Sequence, residues 1–209
     1  CAFFSRNRRI NLSSAKNYNL NLNKLYFNVE KLIMEEKKSL DAVVILTPPD
    51  SRYNIIKLLV KNDIPIICEK PLCSDLRVSK KIYKLINQKE KFFTSTYNYI
   101  GYPAIREIRD IINKKFLGKI ISFNFEMLQQ TYVYNKSKIA KWRTKDHSIP
   151  TLYLDLCSHL VNISKFLFNM YPNNVMSFST KNKKFKVIDN VHSWLKYKNN
   201  MLGSFWFSK

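Results

Sequence analysis

Asp41-Ala42-Val43-Val44-Ile45-Leu46-Thr47-Pro48-Pro49 is a continuous apolar run closed by a threonine and two prolines. Such a run reads as a short strand buried on both faces, as in a parallel sheet covered by helices. The prolines stop it, and Asp50-Ser51 start a helix predicted through about Asn62, with Ile55, Leu58, Leu59 and Asn62 at helical spacing. Ile64 to Cys68 repeats the strand pattern, and Glu69-Lys70-Pro71 closes it. Asp75 is suited to cap a helix running to about Gln88, with Ile82, Leu85 and Ile86 on one face. Phe92 to Thr96 gives one more short strand. This strand-helix rhythm implies an α/β domain built on a doubly wound parallel sheet.

Outward from this stretch the pattern changes. Upstream, Cys1 to Ser5 reads as the interior of a strand, and Gly203 to Lys209 does the same at the other end, so the protein is expected to continue beyond both. After Tyr97, Ala104 to Lys114 fits a helix and Lys119 to Gln130 a long strand, with Ile121, Phe123 and Phe125 on one face. A loop is expected from Thr131 to Pro150, then a helix from Thr151 to Phe168. Val175 to Thr180, Val191 to Tyr197 and Met201 to Phe207 read as antiparallel strands joined by polar turns. The expected organisation is therefore a partial doubly wound domain at 1–97, then an α+β domain at 98–209 with an open, mostly antiparallel sheet.

Composition narrows the functional classes. Thirty-six basic and 15 acidic side chains give a formal charge of +21. Lys far outnumbers Arg and Asn is abundant, and the cations are spread along the chain rather than gathered on one segment, which argues against a nucleic-acid binder. A phosphate-bearing substrate is another use for such charge. The sequence has no apolar run long enough to span a membrane. Cys1, Cys68, Cys73 and Cys157 form no C-x-x-C pair, and only three His occur, so neither a zinc site nor a disulfide framework is expected; a reducing cytoplasm suits this pattern.

Three places carry chemistry. Thr47-Pro48-Pro49 and Glu69-Lys70-Pro71 end strands at the carboxyl edge of the sheet, where open α/β folds bind ligands, and a lysine there can polarise a hydroxyl or carbonyl oxygen. Asp155 and His159 lie four apart on a predicted helix among Leu154, Leu156, Leu160 and Val161. They read as a carboxylate orienting an imidazole for proton transfer, as a plain hydrogen-bonded pair, or as two ligands of a metal lacking an evident third. Finally, the first strand ends Ser5-Arg6-Asn7-Arg8, with no acid. If it is the strand that meets a dinucleotide's ribose, a hydroxyl and a guanidinium suit a 2′-phosphate and favour NADP over NAD; a basic surface turn explains the residues equally well. The sequence contains no G-x-G-x-x-G.

Taken in order, Asp41 to Pro49, Glu69-Lys70-Pro71-Leu72, Tyr97-Asn98-Tyr99, Leu117-Gly118-Lys119-Ile120, Asp155-Leu156-Cys157-Ser158-His159 and Asp189 to Ser208 resemble the glucose-fructose oxidoreductase / inositol dehydrogenase / rhizopine catabolism (Gfo/Idh/MocA) family. The resemblance covers nearly the whole chain. It implies a Rossmann domain, here without its Gly-rich loop, followed by a substrate domain with an open sheet through which members often associate. It implies hydride transfer between NAD or NADP and a hydroxyl-bearing carbon of a sugar, cyclitol or sugar nucleotide. By this resemblance Lys70, Asp155 and His159 are catalytic: His159 takes the hydroxyl proton, Lys70 stabilises the oxyanion, and Asp155 positions the sugar or His159. Thr47, Pro48, Glu69 and Asn98 line the cofactor with Ser5 and Arg6, and Trp142 and Arg143 reach the substrate beside Lys70 and His159. Cys157 departs from a usual Gly. The segment from Ser148 to Tyr153 is similar to members serving surface-polysaccharide synthesis, which favours a sugar nucleotide. The family also includes a sugar-responsive corepressor, so a non-catalytic sensor of the same fold is the second reading; the presence of Lys70, Asp155 and His159 argues against it.

Overall fold

The computed structural model describes residues 1–88, 92–130, 139 and 141–209; the predicted loop from Thr131 to Pro150 lies partly outside the described residues. The chain forms two compact units, one of Cys1–Glu69 with Val78–Ser95, the other of Lys70–Arg77 with Thr96–Lys209.

The first unit alternates strands and helices. Strand β1 (Phe3–Phe4) leads to helix α1 (Arg8–Asn17), β2 (Leu25–Tyr26), α2 (Val29–Glu36), β3 (Val43–Ile45), α3 (Arg52–Lys61), β4 (Ile66–Glu69), α4 (Leu76–Asn87) and β5 (Phe93–Thr96). β1 and β2 pair in parallel, and β3, β4 and β5 form a second sheet in that order, β3 and β4 parallel. Asparagines begin the early helices: the Asn7 side chain accepts from the Arg9 and Ile10 amides, and that of Asn28 from the Lys31 amide. Asp75 caps α4 through the Arg77 amide at 2.8 Å. The buried Asn11 amide donates to the carbonyls of Ser5 and Tyr26, tying α1 to both short strands. The core gathers Ile45, Ile56, Leu59, Ile64, Ile66, Cys68 and Ile82.

One expectation about this unit needs correcting. β3 is buried on one face only: Ile45 is enclosed, whereas Val44 and Leu46 are 53% and 68% exposed. Neighbouring residues of a strand point to opposite faces, and the described residues cover only the Ile45 side.

The second unit wraps one helix against one sheet. Helix α5 (Pro103–Asn113) precedes β6 (Ser122–Leu128), and helix α6 (Ser158–Phe168) precedes β7 (Asn174–Lys181), β8 (Ile188–Lys196) and β9 (Leu202–Ser208). The sheet order is β6-β9-β8-β7; β7/β8 and β8/β9 are antiparallel, and β6 runs parallel to β9. Its inner face packs Val191, Leu195, Phe205 and Phe207 against Leu152, Leu156 and Leu160. Phe123, Phe125 and Met127 add to that face, while Ile121 precedes the strand and is 71% exposed, contrary to the predicted pattern. Gly203 is required here: a Cβ on it would sit 2.4 Å from the Phe123 ring. The opposite face leaves Met176, Phe178, Trp194 and Leu202 exposed. Among the described residues no helix is long and apolar enough to cross a membrane.

The predicted helix from Thr151 to Phe168 is not uniform. Residues Tyr153–Cys157 form a π turn before α6. Asp146 holds its entrance, accepting from the Thr151 amide with one oxygen and from the Ile188 amide with the other, each at 3.0 Å.

Candidate active site

Within the second unit, Lys70, Tyr99, Gln129, Arg143, Asp155, Leu156, His159 and Lys209 line a polar cavity of about 190 Å³. Asp155 sits at its centre, on the π turn, a distortion often found where a helix serves a site. Its side chain is only 9% exposed. The Lys70 ammonium donates to the Asp155 backbone carbonyl at 2.7 Å and to Oδ1 at 3.1 Å. Arg143 Nε donates to Oδ2 at 2.9 Å, and the Lys209 ammonium reaches the same oxygen. Burial alone would raise the Asp155 pKa, but Lys209, Lys70 and Arg143 outweigh it and hold the carboxyl well below the usual range.

This geometry changes the expected role of the Asp155 and His159 pair. Both side chains are buried in one cavity, but the carboxylate is engaged by three cations, and His159 Nδ1 is buried without a hydrogen-bond partner. The imidazole is held instead by rings: Tyr99 packs edge-on at 4.7 Å between centroids and Tyr97 at 6.0 Å. Burial, and then the Lys70 charge, push the His159 pKa down to about 4 against the opposing pull of Asp155. The ring is therefore neutral near pH 7 and able to accept a proton.

The remaining candidates fall as follows. Arg143 lies in the cavity wall with its guanidinium 4.8 Å from the centroid of the Trp142 ring, and the Trp142 carbonyl accepts from the Thr151 hydroxyl. Asn98 belongs to the second unit, its amide donating to the Tyr102 hydroxyl at 3.3 Å. In the first unit, Thr47-Pro48 follow β3 and Glu69 ends β4, both at carboxyl ends of parallel strands. The buried Arg52 joins them, donating through Nε to the Thr47 carbonyl at 2.7 Å and through Nη1 to the Glu69 carbonyl. The Thr47 hydroxyl itself is buried without a partner, which fits a ligand-binding edge. Ser5 and Arg6 follow β1; the Ser5 hydroxyl accepts from the Asn7 amide at 3.1 Å, and Arg6 is exposed.

Sequence reasoning did not single out Lys209, Gln129 or Arg52, and it quoted Tyr97 and Tyr99 only within a motif, with no role at the site. For Lys209 a signal existed: Phe205 and Phe207 point inward on β9, so the period of two directs Lys209 to the same buried side. A lysine in register with a core face calls for an acidic partner.

Comparison with known proteins agrees with this architecture. Residues 1–97 match the family model for the oxidoreductase family with an NAD-binding Rossmann fold, and residues 105–209 match the GFO/IDH/MocA C-terminal domain. The chain is 26% identical to YfiI, an uncharacterized oxidoreductase of Bacillus subtilis, over 95% of this chain and 55% of that protein. Its fold is similar to a levoglucosan dehydrogenase solved with NADH and levoglucosan, with a TM-score of 0.87 and 20% identity over 98% of this chain and 56% of the other. It is also similar to an inositol dehydrogenase homologue from Azotobacter vinelandii solved with NADH and myo-inositol, with a TM-score of 0.79 and 20% identity over 94% and 52% of the two chains. The chain thus spans about half the length of these relatives. Both halves of the chain match, in order, and on that ground it belongs to the GFO/IDH/MocA oxidoreductase family.

Proposed function

We propose that the chain contributes to an NAD(P)-dependent dehydrogenase that oxidises a hydroxyl-bearing carbon of a sugar or cyclitol, or runs the reverse reduction. The observation that carries this reading is the meeting of Lys70 with Asp155 and His159, which follow it by 85 and 89 positions, around one cavity. The relatives solved with NADH and levoglucosan or myo-inositol support it.

A bound nicotinamide would supply the hydride acceptor. Thr47, Pro48, Glu69 and Asn98 would hold the cofactor, with Ser5 and Arg6 toward its ribose; Arg6, Arg8 and Arg9 around the start of α1 favour a 2′-phosphate and hence NADP. The neutral His159 takes the proton of the substrate hydroxyl as the carbonyl forms. The Lys70 ammonium, fixed by the Asp155 carbonyl and carboxylate, donates to the same oxygen and stabilises its developing charge. Asp155 acts as the anchor for Lys70 and Arg143, and Arg143 with Trp142 holds the substrate. A sugar nucleotide used in surface-polysaccharide synthesis is the specific substrate we favour, on the sequence of residues 148–153. The exposed Met176, Phe178 and Trp194 support association of copies through the open sheet.

The test is sugar-dependent reduction of NAD+ and NADP+ by the full gene product, across a panel of sugars, cyclitols and sugar nucleotides. Turnover that falls by about a hundredfold or more in His159→Ala and in Lys70→Met supports the assignment. Turnover unchanged in both variants removes these residues from the chemistry.

A further inference from the structure

A neutral imidazole works as a base only when its accepting nitrogen is aimed at the substrate hydroxyl. The torsion that swings an imidazole ring is soft by itself, so neighbours must hold it. In many sites a carboxylate does so through the second ring nitrogen. Here the Asp155 carboxylate is engaged elsewhere, Oδ1 by Lys70 and Oδ2 by Arg143 and Lys209. Aromatic rings bear on His159 instead. Tyr99, in the cavity wall, stands 4.7 Å from it between centroids at an interplanar angle of 76°, and Tyr97 stands 6.0 Å away at 89°. Tyr99 belongs to the short helical turn Asn98–Gly101, which Tyr102 closes. It is braced there: its ring meets the Tyr102 ring at 5.5 Å, and the Asn98 amide donates to the Tyr102 hydroxyl at 3.3 Å. A near-perpendicular ring pair has a preferred geometry, set by the charge distribution of the rings, that an aliphatic neighbour does not impose.

We infer that Tyr99 is a positioning residue for the base: its ring, rather than its hydroxyl, sets the plane of the His159 imidazole and keeps water from it. This rests on reading His159 as the base of a dehydrogenase, and it adds a residue to that mechanism. Without the Tyr99 ring the imidazole turns among orientations of which few are productive, so the loss falls on kcat more than on KM. The ring also controls hydration. Burial is the largest cause of the low His159 pKa, the Lys70 charge is the next, and Asp155 opposes them; Arg143 and Lys209 line the same cavity. Removing a packed ring admits water and leaves these charges in place, so the pKa climbs back toward its ordinary 6.5. Tyr99→Phe keeps the ring and restores both properties.

The experiment follows the His159 ring directly. The full gene product is labelled with 15N-histidine, and its imidazole nitrogens are titrated by NMR in wild type, Tyr99→Leu and Tyr99→Phe, with His159→Gln to assign the signal. Tyr99→Met takes the place of Tyr99→Leu if that variant fails to fold. The expected result is a single neutral tautomer down to about pH 5 in wild type and Tyr99→Phe. In Tyr99→Leu both tautomers appear and the titration moves up by about one pH unit or more. Kinetics on the best sugar should show kcat down by about tenfold or more in Tyr99→Leu, KM changed by less than about threefold, and the acidic limb of kcat/KM moved to higher pH, with Tyr99→Phe rescuing all three. A wild-type His159 that titrates near 6.5 as a mixture of tautomers overturns the inference before any variant is made. So does a titration unchanged in Tyr99→Leu, or a Tyr99→Phe protein as impaired as Tyr99→Leu. The two readings separate cleanly. Turnover that requires His159 but is indifferent to Tyr99→Leu sinks the positioning role and leaves the dehydrogenase, whereas the expected titrations without hydride transfer to any sugar do the reverse.

Discussion

Replacing Asp155 by Asn isolates the electrostatic core of the site. The change keeps the shape of the side chain and removes the one anion that Lys70, Arg143 and Lys209 share. Lys209 is the most exposed to this loss energetically, because its side chain is 1% accessible and its pKa is already lowered, chiefly by burial. Breaking a buried pair in this way costs about 3–5 kcal/mol. For a chain of this size that corresponds to a fall in Tm of about 10 °C. Thermal unfolding followed by circular dichroism measures it. A second signature separates charge from packing. In the variant the folded pKa of Lys209 lies below the unfolded value of 10.5, so the unfolded chain binds more protons between the two and stability rises with pH in that window. Asp155→Asn should therefore recover part of its loss as the buffer moves from pH 7 toward 10, and the added change Lys209→Met should recover most of it at any pH. A variant as stable as the parent at pH 7, or one whose deficit is indifferent to both pH and Lys209→Met, would refute this account of the cluster.

Other outcomes follow from single residues. Since the folded His159 pKa is pushed down to about 4 from 6.5, wild-type stability should fall as pH drops from 6.5 toward 4, by on the order of 2 kcal/mol, and His159→Gln should flatten that slope in denaturant titrations. The depressed Asp155 carboxyl adds its own stabilisation above its unfolded value of 3.8, lost as pH falls through its lower folded value. Gly203→Ala should cost about 1–3 kcal/mol in urea unfolding, because the new methyl meets a Phe123 ring hemmed in by Phe125, Phe168 and Phe205. Arg52→Met should cost about 1–3 kcal/mol for each of the Thr47 and Glu69 carbonyls it strands, and Arg52→Lys should restore part of that.

Strands and helices with strong apolar periodicity were legible. The run from Val43 to Ile45, the prolines after it and the helix containing Ile56 and Leu59 follow directly from pattern and breaker residues. Residues 9–40 were not read as elements because β2 is two residues long and α1 is Arg-Arg-Ile-Asn-Leu-Ser-Ser-Ala-Lys-Asn, with little apolar stripe; α1 is held by the Asn7 cap and the Asn11 bridge. The π turn was invisible because Leu152, Leu156 and Leu160 keep an apolar spacing of four through it. Lys70 and the helix carrying Asp155 and His159 were found as separate motifs, but the ion cluster joins residues 85 and 54 positions apart, and no local rule couples Lys209 to Asp155.

Hydride transfer itself is the central claim, and isotope tracing tests it most directly. The full gene product would be given a sugar substrate deuterated at the carbinol carbon together with NAD+ or NADP+, and the reduced nucleotide examined by mass spectrometry. The account predicts that deuterium appears on the nicotinamide ring in wild type and fails to appear in Lys70→Met or His159→Ala over the same time. Oxidised sugar formed without deuterium reaching the nicotinamide, or label transferred equally by all three proteins, would contradict it.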